Sequence, residues 1–413
     1  MIYTVTVNPC LDVLRFLSAK SQAPSLSDGT YRPENPNEDE KLRPGGKGID
    51  VSRALVCLQN ETKALGFIGD QTGEILKGLL AAEGIDHEFI DSGVETRTNI
   101  ILVLRDAREH SKVLGEIRIN SQGKEIPPNK YQLLYGQANR IGDAKAVAIS
   151  GSLSFNMQPT FYNSLIRTFK TKNPGCIVLL DGPAAPTAEA MVLPQHRPDF
   201  IKPNIKEFSD LVTQLDLQRH SGVASFPLRG DQLPSGASDE QYLEYAFTGT
   251  RLASGPPKDF EVDKGKFRSN WGVLLQCVLH IKQEFGVTTL LSLGPAGCIS
   301  ADDDGRILHA YIPQQIKIGT RVGAGDCLAA GFLSKHVNDP SSNPLENALK
   351  AGIAAATARI VVEEYGANKK YLDRKVYERY LGQVKLDTYS PESALVPQFA
   401  GTAPWCRFSH GRS

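Results

Sequence analysis

The chain has 413 residues, 41% of them hydrophobic, and its 46 basic side chains match 46 acidic ones, so the formal net charge is zero. That balance gives no electrostatic case for nucleic acid or an anionic membrane surface, and no apolar run reaches transmembrane length. Seven cysteines stand singly (Cys10, Cys57, Cys176, Cys277, Cys298, Cys327 and Cys406) with no C-x-x-C pair, which predicts reduced thiols in a cytoplasm rather than disulfides or zinc.

The chain opens on Ile2-Tyr3-Thr4-Val5-Thr6-Val7, which alternates as a strand and predicts no secretory leader. Asn8-Pro9-Cys10-Leu11-Asp12 stops that strand. It leaves Asp12 at the end where open α/β sheets bind ligands, either as an acceptor for sugar hydroxyls or as a turn former. Residues 20–42 are polar and Pro-rich and read as a surface loop. Arg43-Pro44-Gly45-Gly46-Lys47-Gly48-Ile49-Asp50 is a glycine-rich turn opening a helix, without Walker A spacing. Lys47 is then a phosphate-side cation or a solvated turn lysine. A strand follows over 63–68 and a helix over 71–83, ended by Gly84. Thr96-Arg97-Thr98-Asn99 leads into the strand Ile100–Leu104, with Val113–Ile119 as an extended partner. Arg97 could fork onto a phosphate or form a surface ion pair.

Strands and helices then alternate. Lys145–Ser150 reads as a strand, a helix passes through Tyr162, Leu165, Ile166 and Phe169, and Cys176–Leu180 is a strand ending at Asp181. In the stretch Lys202-Pro203-Asn204 and the helix after it, Asn204 and Glu207 have capping-box spacing. They also share a face that could meet a Mg–nucleotide complex. Residues 214–270 break the rhythm as an insertion. A helix over 271–285, a strand over 287–293, the turn Gly294-Pro295-Ala296-Gly297 and a strand from Cys298 restore it. A strand-like run, Ile312–Ile318, precedes Gly319-Thr320-Arg321-Val322-Gly323-Ala324-Gly325-Asp326 and an apolar helix; an Ala-rich helix covers 348–362. Free N–H groups and the helix dipole at such a turn favour an anion, while Asp326 on the first turn would repel one. Asp326 therefore suits a base that takes a proton from an attacking hydroxyl, or is an ordinary first-turn aspartate.

The ordered set Thr6-Val7-Asn8-Pro9 with Asp12, Gly45-Gly46-Lys47-Gly48, Thr96-Arg97-Thr98-Asn99, Ser150-Gly151-Ser152-Leu153, Lys202-Pro203-Asn204 with Glu207, Ser292-Leu293-Gly294 with Gly297, and Val322-Gly323-Ala324-Gly325-Asp326 resembles the ribokinase-like, or PfkB, carbohydrate kinases, most closely the 1-phosphofructokinase subgroup. The resemblance runs from about Ile2 to Leu381. It implies an α/β three-layer α/β/α sandwich with a mostly parallel central sheet and a small β-sheet lid. It implies one kinase domain over 1–385, with the lid from about 12–44 and 97–122, the insertion at about 214–270 and a tail over 386–413. It also implies these roles: Asp326 as catalytic base; Gly323, Ala324 and Gly325 as the anion hole; Asp12, Gly45, Gly46, Lys47, Asp50 and Arg97 at the sugar phosphate; Lys202, Asn204, Ser292, Gly294 and Gly297 at ATP; Asp181 and Glu207 at Mg²⁺. The implied enzyme is cytoplasmic, acts on a small sugar phosphate with neither nucleic acid nor membrane as partner, and forms a homodimer through the lid.

Departures from the family pattern are Asp50 where Asn is usual, Arg321 before Val-Gly-Ala-Gly-Asp, Ser154-Phe155-Asn156 in place of Pro-x-Gly, and extra length. The expected reaction is ATP-dependent conversion of fructose 1-phosphate to fructose 1,6-bisphosphate, with tagatose 6-phosphate or fructose 6-phosphate as alternative substrates. A catalytically weak sugar-phosphate binding or regulatory protein on the same fold is the alternative from another class. A dehydrogenase is disfavoured, since no G-x-G-x-x-G follows the first strand.

Overall fold

Seven parallel strands carry the molecule, and their C-terminal ends all open at one side. The computed structural model describes residues 1–19, 40–106, 113–215, 264–314, 316, 320, 322–362 and 371–390. The central sheet has the order β11-β10-β9-β8-β1-β4-β5. Its strands are β1 (Ile2–Thr6), β4 (Thr62–Ile68), β5 (Asp86–Asp91), β8 (Ala146–Ser150), β9 (Ile177–Asp181), β10 (Phe200–Ile201) and β11 (Thr288–Thr289).

Side chains alternate across such strands, and here each parity feeds its own core. Tyr3, Val147, Val178 and Ile201 pack with α3 (Pro128–Arg140), α4 (Thr160–Lys172), α5 (Ala184–Val192), α6 (Ile205–Gln214) and α7 (Lys264–Phe285). Ile2, Ala146, Ala148 and Leu179 face α1 (Lys47–Cys57), α8 (Ala324–His336), α9 (Pro344–Ile360) and α10 (Arg374–Leu381). Small alanines on this second face let α1 approach the sheet closely, and α8 packs on α1 and α9. α2 (Asp70–Ala82) packs Leu76 and Leu80 against Ala64 and Ile68 of β4. Phe332 on α8 is fully buried, so Phe332→Ala would cost about 3–5 kcal/mol and loosen the helix whose start forms the site described below. The expected α/β/α sandwich is present.

The lid is a second sheet, β3-β2-β6-β7: β3 (Glu40–Gly45), β2 (Cys10–Ala19), β6 (Arg97–Asp106) and β7 (Val113–Ile119). Here the structure corrects two expectations. Asp12 is not in a turn but is the third residue of β2, and Glu40–Leu42 form part of a strand rather than a loop. The reason is non-local. β2 pairs with β6 from Cys10↔Arg97 to Ala19↔Asp106, a partner invisible in the local pattern. Residues 20–39 of the expected loop lie outside the described residues.

A third sheet, β12 (Leu291–Ser292), β13 (Cys298–Ala301), β14 (Ile307–Tyr311) and β15 (Lys385–Tyr389), is antiparallel throughout. The single strand expected over 287–293 is thus divided between two sheets at Leu290. β14 ends at Tyr311, ahead of the strand-like run from Ile312, and Lys385–Tyr389 pair with β14 across the expected start of the tail. The helix expected from Trp271 begins at Lys264. Residues 216–263 of the insertion, residues 391–413 of the tail, and Gly319 and Arg321 lie outside the described residues. No helix among the described residues is long and apolar enough to cross a membrane.

Candidate active site

β1, β8, β9 and β10 end on one side of the sheet, and α1, α6 and α8 begin there. That is where a doubly wound sheet gathers its ligand-facing groups. Five charged side chains from these ends meet. Lys47, first residue of α1, places Nζ 3.0 Å from Asp181 Oδ1 and 3.1 Å from Glu207 Oε1. Lys202 Nζ lies 2.8 Å from Asp181 Oδ2, with both side chains buried. Asp326, on the first turn of α8, is buried beside them.

The charges set one another. Burial alone would raise the Asp181 carboxyl, but Lys202 and Lys47 outweigh it and hold it below the usual aspartate value. Burial disfavours charged Lys47 and Lys202, yet Asp181 raises both above the ordinary lysine value, with Glu207 and Asp326 adding to it. Asp326 goes the other way. Burial, then the Asp50 and Asp181 charges, push it up to about 8 against the pull of Lys202 and Lys47.

The α8 turn is shaped by glycine. Gly323 is left-handed, at φ 78°, and a Cβ on it would fall 2.1 Å from the Tyr371 phenol oxygen. A Cβ on Gly325 would lie 3.2 Å from Lys202 Nζ, so the lysine reaches this turn. Thr320 Oγ1 accepts from the Val322 N–H at 3.1 Å, and the Cys327 N–H donates to Gly323 O at 2.9 Å, starting the helix.

On the lid side, Asp12 Oδ2 accepts from Arg43 at 3.0 Å and Oδ1 from Asn99 at 3.0 Å. Gly45 is packed against this pair, where a Cβ would come 2.9 Å from the Asp12 carboxyl, and Gly46 has φ 129°. Arg97 does not present a free fork. It donates to Asn8 O at 3.0 and 3.2 Å and to Ser121 O at 2.8 Å. Asp50, expected at the sugar, is ion-paired with Arg53 one turn along α1.

On the other side, Asn204 caps α6. Its Oδ1 accepts from the Glu207 N–H at 2.8 Å, and Glu207 Oε2 accepts from the Asn204 N–H at 2.9 Å, completing the capping box. Glu207 therefore serves the cap through one oxygen and Lys47 through the other. Ser292 pairs with Asn204 and donates Oγ–H to Pro203 O at 3.3 Å. Gly294 and Gly297 bound a 3₁₀ turn over 294–296; both have positive φ, and a Cβ on Gly297 would strike Ala310 O at 2.1 Å. His309 Nε2 lies 2.7 Å from Ala296 O, beneath that turn.

The structure thus brings Lys47, Asp181, Lys202, Glu207 and Asp326 together, with Asp12, Arg97 and Asp50 to one side and Asn204, Ser292, Gly294 and Gly297 to the other. Lys47, expected at the sugar, instead bridges the two carboxylates expected to hold metal. The sequence reading missed Arg43, Arg53, Tyr371 and His309. Only Arg53 carried a local signal, its i,i+3 spacing from Asp50.

Asp181 and Glu207 offer hard oxygen donors close enough to share one cation, Lys47 Nζ. Among the described residues no group of three or more His, Cys, Asp or Glu could hold a metal ion alone. Two carboxylates completed by phosphate oxygens and water fit Mg²⁺, which keeps waters and takes few protein ligands.

Residues 20–228 and 271–374 match the model of the pfkB family carbohydrate kinases. The chain is 26% identical to 1-phosphofructokinase of Bacillus subtilis (strain 168) over 369 residues, 89% of this chain and 95% of that protein. It is 25% identical to 1-phosphofructokinase of Borreliella burgdorferi over 362 residues, 87% and 91% of the two chains. The solved phosphofructokinase-2 of Escherichia coli superposes with a TM-score of 0.67 at 20% identity, covering 92% of this chain and 98% of that one. The chain belongs to the pfkB family of carbohydrate kinases and is a phosphotransferase acting on an alcohol group.

Proposed function

We propose that the protein transfers the γ-phosphoryl group of Mg–ATP to a hydroxyl of a ketohexose phosphate, converting fructose 1-phosphate to fructose 1,6-bisphosphate. The observation that carries the reading is Asp326: a buried carboxylate on the first turn of α8, pushed up to about 8, beside two lysines. A base works best when its pKa lies near the working pH, and this one does. The relatives named 1-phosphofructokinase support the choice of acceptor.

In this reading Asp326 takes the proton from the acceptor hydroxyl as that oxygen attacks phosphorus. The Gly323–Gly325 backbone and Lys202 stabilise charge on the transferring group. Asp12, held by Arg43 and Asn99, accepts from sugar hydroxyls, and the missing side chain of Gly45 lets that carboxylate pack against the turn. Lys47 and Arg97 serve the phosphate already on the substrate, Lys47 by leaving Asp181 and Glu207 and Arg97 by exchanging its bonds to Asn8 O and Ser121 O for phosphate oxygens. Asn204, Ser292, Gly294 and Gly297 line the nucleotide side. Asp181 and Glu207 would hold Mg²⁺, directly or through water, and the metal would neutralise phosphate charge.

The lid also supports a dimer. Leu42, Val13, Ile100 and Ile119 pair across all four lid strands in one row, and Leu42, Ile100 and Ile119 are exposed. An apolar row of this kind is covered by a second lid in a cytoplasmic homodimer. Sedimentation of Ile119→Lys should show monomer; an unchanged dimer would move the interface elsewhere.

The test of function is ADP release with Mg–ATP across fructose 1-phosphate, fructose 6-phosphate, tagatose 6-phosphate and unphosphorylated fructose. Turnover is expected on fructose 1-phosphate first. Preference for either 6-phosphate would reassign the substrate, and preference for fructose itself would remove the phosphate role of Lys47 and Arg97.

A further inference from the structure

Arg53 joins the two glycine-rich turns of the site. It is nearly buried, on the second turn of α1. Its Nη1 pairs with Asp50, its Nε with Glu83 Oε2 at 2.5 Å, and its Nη2 donates to Pro44 O at 2.8 Å and to Glu83 Oε1 at 3.1 Å. Pro44 lies in the last two residues of β3, which lead through Gly46 into α1. The guanidinium also lies over the Tyr371 ring, 5.1 Å from its centroid, and Arg359 lies over the same ring at 4.4 Å. The Tyr371 phenol oxygen in turn fills the space beside Gly323 that a side chain would need. One planar cation therefore touches the turn at the start of α1 directly and the turn at the start of α8 through one ring.

We propose that Arg53 is a positioning residue that sets the sugar-side turn against the phosphoryl-side turn, with Asp50 and Glu83 as its fixed counter-charges. The names of the two sides rest on the function proposed above. The proposal accounts for Asp50. A buried guanidinium needs paired counter-charge, and Asp50 supplies it from one turn away. The aspartate is the nearest counter-charge of Arg53, although its charge still reaches Asp326. Lysine could not take Arg53's place, because a point charge has neither the fork for three acceptors nor the flat face for the ring.

Hydrogen exchange on the substrate-free protein decides it. Arg53→Met and Arg53→Lys should each speed exchange several-fold at residues 45–48 and, in the same sample, at 323–327. Tyr371→Phe should speed exchange at 323–327 alone. In Arg53→Lys, kcat with Mg–ATP and fructose 1-phosphate should fall roughly tenfold to a hundredfold, as for a misplaced reacting group, with the ATP KM near that of the wild type. Faster exchange confined to 45–48 in the Arg53 variants would show that Arg53 serves α1 only and would overturn the proposal. If Arg53→Met does not fold, Arg53→Lys, which keeps the charge, decides alone. A wild type without turnover on any sugar phosphate would sink the proposed function, while the exchange pattern would still decide the alignment.

Discussion

The starts of α1 and α8 are built alike and do different chemistry. Each is a glycine-rich turn capped by a glycine at positive φ, Gly46 at 129° and Gly323 at 78°. Each carries an aspartate in its first turn, Asp50 and Asp326, and burial raises both carboxyls above the usual value. The difference lies one turn on. Three residues after Asp50 stands Arg53, which pairs with it; three residues after Asp326 stands Ala329. Local geometry offers the same carboxylate twice. Its neighbour commits the first to holding structure and leaves the second to titrate near neutral pH.

The comparison breaks most sharply at Asp326. Asp326→Asn keeps the shape and removes the proton acceptor. Loss of a general base should lower kcat by about 10²–10⁴-fold, read as ADP release at saturating Mg–ATP and sugar phosphate. A drop smaller than tenfold would mean that the proton leaves by another route and that the two aspartates are more alike than their neighbours suggest.

A smaller effect is expected at Lys47, the residue where the α1 turn meets the acidic pair. Its ammonium sits between Asp181 and Glu207, the place a shared cation would take. Lys47→Met should therefore tighten Mn²⁺ binding to the nucleotide-free protein several-fold, measured from the free-ion resonance signal, while raising the KM for the sugar phosphate. Unchanged Mn²⁺ affinity would show that Lys47 does not compete for that position.

What the sequence made legible follows the reach of each interaction. The Asn204–Glu207 capping box spans three residues, and the expected cap is the observed one. β1, β4, β8 and β9 were readable because each is a short, mostly apolar run between turn signals, while β5, the polar stretch Asp86–Asp91 at the sheet's edge, carried no such signal and was missed. β2 was not readable, because its pairing partner lies 87 residues on, at Arg97–Asp106. The ion pairs of Lys47 were illegible for the same reason: its partners Asp181 and Glu207 are 134 and 160 residues away, and no local pattern reports them. Tyr371 was beyond reach altogether, since a lone tyrosine near the end of a chain carries no periodicity that points to Gly323.

The mildest test distinguishes the two turns by pH. Asp326 is raised from the usual 3.8 to about 8. The folded protein then keeps this proton between about pH 4 and pH 8, where the unfolded chain gives it up. Folding binds more protons in that window, so this group's contribution to stability falls as pH rises and is lost above about pH 8. Asparagine cannot ionise. The unfolding free energy of Asp326→Asn should therefore gain on the wild type between pH 5 and 8.5, by at most about 1.4 kcal/mol per pH unit, and then hold level, with the melting temperature following the same course. The same ionisation should make wild-type kcat/KM rise with pH through about 8, since only the charged carboxylate accepts a proton. A melting difference that stays flat across this range would mean that Lys47 and Lys202 already hold Asp326 ionised, and that the contrast between the two aspartates lies in geometry alone.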